Sequence, residues 1–288
     1  MKTILKTLLA VAMLAATGFS QEEMEERTPL LSTISIAPRV SLPENTTPPK
    51  WFGEKLEFEI KWGIITVGDA TMHSDGVVDI DGTPCYYIKT TAHSTSFVDT
   101  FFKVRDKNES VINVADLSSV GFTKKIREGT YLWDEWVIFN NKNNSFMGQE
   151  KNKEGNISFV KGDIPGKVQD ILSAIYYVRH QELKVGTKIV LDVNTRKNWP
   201  LTIKVLRREK VKTNAGEFDC FVVEPKLRDK GIFVQKGKSL QIWLTADEYH
   251  MPVMMKAEVF IGHVSARLEK FVRPFVRSVE KNVEIGTQ

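Results

Sequence analysis

The sequence predicts a mainly β fold: a large curved antiparallel sheet or open β-barrel wrapped around one amphipathic α-helix. Three observations carry this. Alternation of apolar and polar residues with period two recurs from Trp51 almost to the C-terminus, Gly and Asn clusters punctuate the alternating runs, and a single stretch carries a helical period. One apolar helical stripe among about a dozen strands must lie against a sheet, because nothing else in the chain covers it.

Residues 1–20 start with Lys2 and Lys6, continue through a short apolar run and exit through small residues, the pattern of a secretory signal peptide. The run is well short of the ~20 residues that span a bilayer. Cleavage after Gly18 and cleavage after Ser20 both remain open. The acceptor cysteine of a lipoprotein anchor does not follow. Residues 21–50, with Pro29, Pro38, Pro43, Pro48 and Pro49, read as a flexible Pro/Ser/Thr-rich leader, with an edge strand at 32–40 as the alternative. A single β-rich domain is expected over 51–271, and 272–288 forms a basic tail with Arg273, Arg277 and Lys281.

Within the domain, Leu56, Phe58, Ile60 and Trp62 alternate with Glu57, Glu59 and Lys61, which makes a strand with one buried face. Residues 77–80 and 85–92 flank Asp81-Gly82, a pair suited to the positive φ angles of a tight hairpin. Further strands are expected at 189–193, 201–206, 218–224, 240–244, 253–259 and 264–271. The helix is placed at 167–183, where Val168, Ile171, Leu172, Ile175 and Tyr176 share a face, Pro165 opens the first turn and Arg179 and His180 lie at the negative end of the dipole.

A net charge of +4, near +2 once Lys2 and Lys6 are removed, is too weak for a committed nucleic-acid binder. The basic run Lys204, Arg207, Arg208, Lys210 and Lys212 reads as a solvated strand face. Gly231-Ile-Phe-Val-Gln-Lys-Gly237-Lys238-Ser239 has five residues between its glycines where a phosphate loop has four, and a strand follows instead of a helix, so a hairpin turn is expected. The five histidines show no ligand spacing; neither a metal site nor a cofactor is predicted. His93, Ser94, Ser96 and Asp99 crowd one segment, leaving an uncharacterised hydrolase as the third functional reading. Cys85 and Cys220 are two cysteines that an oxidising compartment permits to bridge, with two buried thiols as the simpler alternative.

Five segments resemble a bacterial exported family known as domain of unknown function 3108: Gly53-Glu-Lys-Leu-Glu-Phe-Glu-Ile-Lys-Trp-Gly63, Phe97-Val-Asp-Thr-Phe-Phe-Lys-Val-Arg-Asp106, Val168-Gln-Asp-Ile-Leu-Ser-Ala-Ile-Tyr-Tyr-Val-Arg179, Gly216-Glu-Phe-Asp-Cys220 to Pro225, and Trp243-Leu-Thr-Ala-Asp247 to Val253. The resemblance implies a secreted β protein with a curved antiparallel sheet, distantly similar to lipoprotein-carrier sheets, and brings no catalytic residues. The expected protein is non-enzymatic, periplasmic or secreted and soluble after signal cleavage. It takes a lipid-like or other apolar ligand, a lipid or acyl chain, in a groove between sheet and helix lined by Trp62, Phe101, Ile175, Tyr176 and Trp243. The alternative is an envelope scaffold that works through contacts with another envelope protein.

Overall fold

The computed structural model describes residues 37–195, 197–227, 239–259 and 261–273. The expected signal peptide, most of the expected leader, the hairpin turn expected at 231–239 apart from Ser239, and most of the expected basic tail lie outside the described residues.

Among the described residues, alternation at period two produces fifteen strands. They are β1 (Arg39–Val40), β2 (Lys55–Trp62), β3 (Ile65–Ile80), β4 (Thr83–Ser94), β5 (Arg105–Asn113), β6 (Ser119–Glu128), β7 (Tyr131–Asn140), β8 (Ser145–Asn152), β9 (Ile157–Asp163), β10 (Lys188–Asn194), β11 (Asn198–Thr213), β12 (Gly216–Leu227), β13 (Leu240–Thr245), β14 (Pro252–Glu258) and β15 (His263–Val272). One antiparallel sheet runs β10-β11-β12-β13-β14-β15-β2-β3-β4-β5-β6-β7-β8-β9, with β1 paired to β3 off this path. Among the described residues two helices accompany it, a single turn α1 (Ser96–Asp99) and α2 (Ile171–Arg179).

The β3–β4 reversal is the one the sequence predicts, with Asp81 at φ 50° and Gly82 at φ 78° and Ile80 paired to Thr83. The end of the leader forms a short edge strand inside the 32–40 stretch given as the alternative reading: Arg39 and Val40 pair with Val78 and Val77, and Ala37 is buried beside Val78 and Tyr87. Strand β2 reaches only to His73 along β3, so the far half of β3 has free backbone groups for this short segment.

The sheet is open, but its two edges are tied. The chain leaves β9, crosses through α2 and returns as β10; on the way Gln169 forms a parallel bridge with Val193, and Asn198 Nδ2 donates to the Asp163 carbonyl at 2.6 Å. Edge pairing of this kind curls the sheet around the crossing segment. Leu172 and Tyr176 of α2 therefore enter one apolar cluster with Leu56, Phe58, Met72, Tyr86 and Ile88, while Ala174 and Val178 enter a second with Leu191, Leu201, Val205, Val223 and Leu244.

Helix α2 is shorter than the expected 167–183. Asp170 sits in extended backbone (φ −83°, ψ 176°) and accepts from the backbone N–H groups of Leu172 at 2.7 Å and Ser173 at 2.9 Å, so the first turn starts after it. Ser173 closes the capping box by accepting from the Asp170 N–H. Val168 is consequently not on the helical face; it packs with Val137, Phe139, Phe146 and Ile164.

A bulge between Val205 and Arg207 changes which side of β11 is buried. Before it, Leu201, Ile203 and Val205 point to the helix side; after it, Val211 is buried together with Cys220 and Val222. Lys204 pairs with Glu224 and Arg208 with Phe221, three residues apart on β12 and hence on opposite faces. The equal parity of Lys204 and Arg208 in sequence thus does not make one basic face. Arg208 and Lys210 instead pair across the strand with Asp219 and Glu217.

Candidate functional site

The helix is fastened by polar groups at both ends. At its C-terminal end Arg179 Nη1 and Nη2 lie 2.9 Å from Glu54 Oε1 and Oε2, and both side chains are almost wholly removed from solvent. The Nη2–Oε2 contact is a hydrogen bond and the Nη1–Oε1 contact a close ion pair, so the two charges are held together in one orientation. At its N-terminal end the Asp170 carboxylate also accepts from Ser110 Oγ at 2.7 Å and Ser119 Oγ at 2.6 Å. Burial pushes its pKa up, against the opposing hydrogen bonds of Ser119 and Ser110. Every partner here is internal, which makes these contacts structural.

The five residues expected to line a ligand groove are dispersed. Tyr176 is buried edge-on against Trp51, with ring centroids 4.8 Å apart, and Ile175 packs partly buried at the margin of the same cluster. Trp62 is half-buried and donates its indole N–H to the Ile261 carbonyl at 2.9 Å. Phe101 is exposed beside Phe97. Trp243 alone lies on an open groove.

That groove, of about 290 Å³, is lined by Arg207, Gln241, Trp243, Met254, Lys256, Glu258, His263, Ser265 and Arg267, with Ser239 at its end. Register explains the grouping: Trp243 faces Met254, Gln241 faces Lys256, and on the next strand Lys256 faces Ser265 and Met254 faces Arg267. Ile242 and Met255, one residue along on each strand, point to α2. The groove is thus on the side of β13–β15 away from the helix. Arg207 of β11 stands at its side, and the β11–β12 hairpin lies over β15, where Arg267 donates to the Lys212 carbonyl at 2.7 Å and Phe218 meets Phe271.

Glu209 orders one side of this groove. It accepts from Arg207 Nε and Nη2 at 2.9 Å each and from the Trp243 indole N–H at 2.6 Å. The Arg207 bond leads in holding the Glu209 carboxyl below its ordinary pKa. The Arg207 guanidinium also lies 5.9 Å from the Trp243 ring centre. Lys256 has no ion-pair partner among the described residues. The Met254 thioether and the edge of the largely buried Trp243 indole, beside the cations Lys256 and Arg267 and the single carboxylate of Glu258, suit an amphipathic anion. The sequence shows these side chains on strands at matching parity; it does not show which strands are neighbours, so Arg207, Met254, Lys256, His263, Ser265 and Arg267 were not legible as one set.

The segment suggested for a hydrolase is organised differently. Ser94 Oγ donates to Asp99 and accepts from the Val104 N–H at 2.7 Å, and Asp99 is held by Arg105 Nη2 at 2.5 Å. His93 instead faces Asp69, with Nδ1 3.3 Å from Oδ1. Ser94 is engaged by aspartate and backbone, not by imidazole, which leaves the relay of such chemistry unassembled. Cys85 and Cys220 are free, buried in separate clusters, and burial raises both thiols to about 12.

With this geometry in hand, comparison with known proteins decides the family. The profile described as a protein of unknown function, DUF3108, matches residues 57–269. The chain belongs to the DUF3108 family. No curated protein matches this DUF3108 chain significantly. Among solved structures it is similar to a β-barrel-like protein of the DUF1849 family from Brucella abortus, at TM-score 0.52 and 8% identity over 79% of this chain and 100% of that one. At that identity the likeness is one of fold. A protein from Bacteroides fragilis described as exported, with a YmcC-like fold, aligns at TM-score 0.35 and 8% identity over 78% of this chain and 98% of that one.

Proposed function

We propose that this DUF3108 protein is an exported, non-enzymatic binding protein for a lipid-like ligand, held in the groove between the β11–β12 hairpin and β13–β15. The groove itself carries the reading. Trp243 and Met254 offer an apolar floor, Lys256 and Arg267 offer positive charge at its side, and Glu209 holds Arg207 and Trp243 in fixed orientation. A volume of about 290 Å³ is at the small end of ligand sites, which run from about 300 Å³. The ligand it suits is an anionic headgroup with the first part of one chain, not a whole diacyl lipid. Among the described residues no helix is long and apolar enough to cross a membrane, and no group of three or more His, Cys, Asp or Glu is placed to hold a metal.

Titration calorimetry with short-chain lysophosphatidylglycerol and its phosphocholine counterpart tests the proposal. The anionic lipid is expected to bind more tightly, and Lys256→Glu with Arg267→Glu is expected to weaken it at least tenfold. Equal affinity for both headgroups, or no effect of the double substitution, contradicts the proposal.

A further inference from the structure

One end of the sheet carries an unusual concentration of exposed apolar side chains. Ile64 is 93% exposed and Ile65 57%, both at the β2–β3 turn; Phe97 is 72% and Phe101 53%, on α1 and just after it; Ile261 is 53%, at the β14–β15 turn. These turns are neighbours, because β15, β2, β3 and β4 are consecutive in the sheet. Hydrogen bonds tie them: Gly63 N–H to the His263 carbonyl at 3.0 Å, Trp62 Nε1 to the Ile261 carbonyl at 2.9 Å, and Thr95 N–H to the Val67 carbonyl at 3.0 Å.

The apolar tips are held in place. Val98 is buried and the Phe102 ring lies against Gly129, which anchors α1. Thr95 caps the turn, and Asp99 is clasped by Arg105 and Ser94. Phe97 and Phe101, four residues apart, therefore project outward as a pair with ring centroids 5.5 Å apart. A clamped turn that presents two phenylalanines to water serves a contact made outside this fold.

The arrangement points to one occupant. The tips are separate projections at different turns, not a flat face, and a fluid lipid interface accepts such prongs without demanding matched relief. Lys103, two residues from Phe101, is exposed and has no ion-pair partner among the described residues. Exposed Glu258 at the β14–β15 turn, and Asp69, beside Gly68 whose strand partner Ser94 leads into α1, place acids near the same end of the sheet; the apolar tips, not a net charge, carry the docking, with Lys103 the cation nearest them. We propose that this rim docks the protein on the surface of an anionic lipid bilayer, with Ile64, Phe97, Phe101 and Ile261 entering the headgroup region. The rim is distinct from the groove lined by Trp243 and stands whether or not that groove binds a ligand.

Vesicle co-sedimentation of the full chain as isolated after export tests this, using phosphatidylglycerol–phosphatidylcholine vesicles and pure phosphatidylcholine vesicles at low salt. The wild type is expected to bind the anionic vesicles. Phe97→Ser with Ile64→Ser is expected to reduce partitioning at least ~30-fold, since each loses a side chain's worth of apolar transfer. Lys103→Glu is expected to weaken binding to anionic vesicles only. Both serines replace exposed side chains, so circular dichroism should be unchanged; should the pair unfold, Ile64→Ser alone provides the reading. Failure of the wild type to sediment, or rim variants that sediment like wild type, overturns the proposal. So does a wild-type self-association that the same substitutions abolish without any vesicle binding.

Discussion

The carboxyls of Asp106 and Glu128 give the structure a pH response that can be worked out in advance. Both are buried, on adjacent β5 and β6, and Asp106 additionally accepts from the Arg127 N–H at 2.8 Å. Burial first, and then the neighbouring Asp106 charge and hydrogen bond, raise Glu128 from 4.5 to about 8; burial raises Asp106 as well. In the folded protein Glu128 therefore keeps its proton at neutral pH and shares it with Asp106, whereas in the unfolded chain both carboxyls ionise. The folded state binds more protons over this window, so its stability is greatest below about pH 4.5 with respect to this group and falls as pH rises toward 8. At about 1.4 kcal/mol per pH unit, the displacement, already net of the Lys124 ammonium that favours the charged form, sets a ceiling near ~5 kcal/mol. Glu128→Gln keeps a donor toward Asp106 and removes the second ionisation. Urea melts at pH 5, 7 and 9 are expected to show the wild type losing several kcal/mol relative to the variant across the series, with the variant the more stable of the two at pH 9. A variant that keeps the wild-type slope, or is the weaker at pH 9, refutes the assignment of the proton to this pair.

Three other substitutions or reagents probe the fold. Glu54→Gln leaves the buried Arg179 charge without its partner and is expected to cost roughly 3–5 kcal/mol in chemical denaturation, with Glu54→Leu plus Arg179→Met recovering most of it. Gly68→Ala would place a Cβ 2.2 Å from the His93 carbonyl oxygen, a backbone contact that cannot swing away; a clear fall in melting temperature is expected, and a neutral result contradicts the β3–β4 register. Cys85 and Cys220, both buried with thiols raised to about 12, should react with Ellman's reagent at pH 8 on the order of a thousandfold more slowly in the native protein than after urea unfolding.

Much of the architecture is legible because strands with one wet face write it into alternate residues. Leu56 to Trp62 is one example, and the Asp81-Gly82 hairpin follows from backbone preference alone. The helix is legible in kind but not in length, since Val168 has the right spacing while the Asp170 side chain terminates the turn before reaching it. What parity cannot reveal is a bulge. The extra residue after Val205 moves Lys204 and Arg208 to opposite faces, and beyond it the β11–β12 hairpin lies against β15 beside the groove. Its residues are spread over β11, β13, β14 and β15, joined by register that no local pattern encodes. The exposed rim is hidden for the opposite reason: Ile64 and Phe97 look like core residues in sequence, and only their position at turns on one end of the sheet leaves them in water.

The proposed role stands or falls on whether the Trp243 groove holds an anionic, lipid-like ligand. Its most direct test is mass spectrometry of the small molecules that co-purify with the protein from its native envelope, run in parallel with the Lys256→Glu, Arg267→Glu variant. An anionic amphiphile is expected near one equivalent on the wild type, with its loss from a variant that remains folded. A wild type that carries no such molecule, or a variant that carries as much of it, contradicts that role.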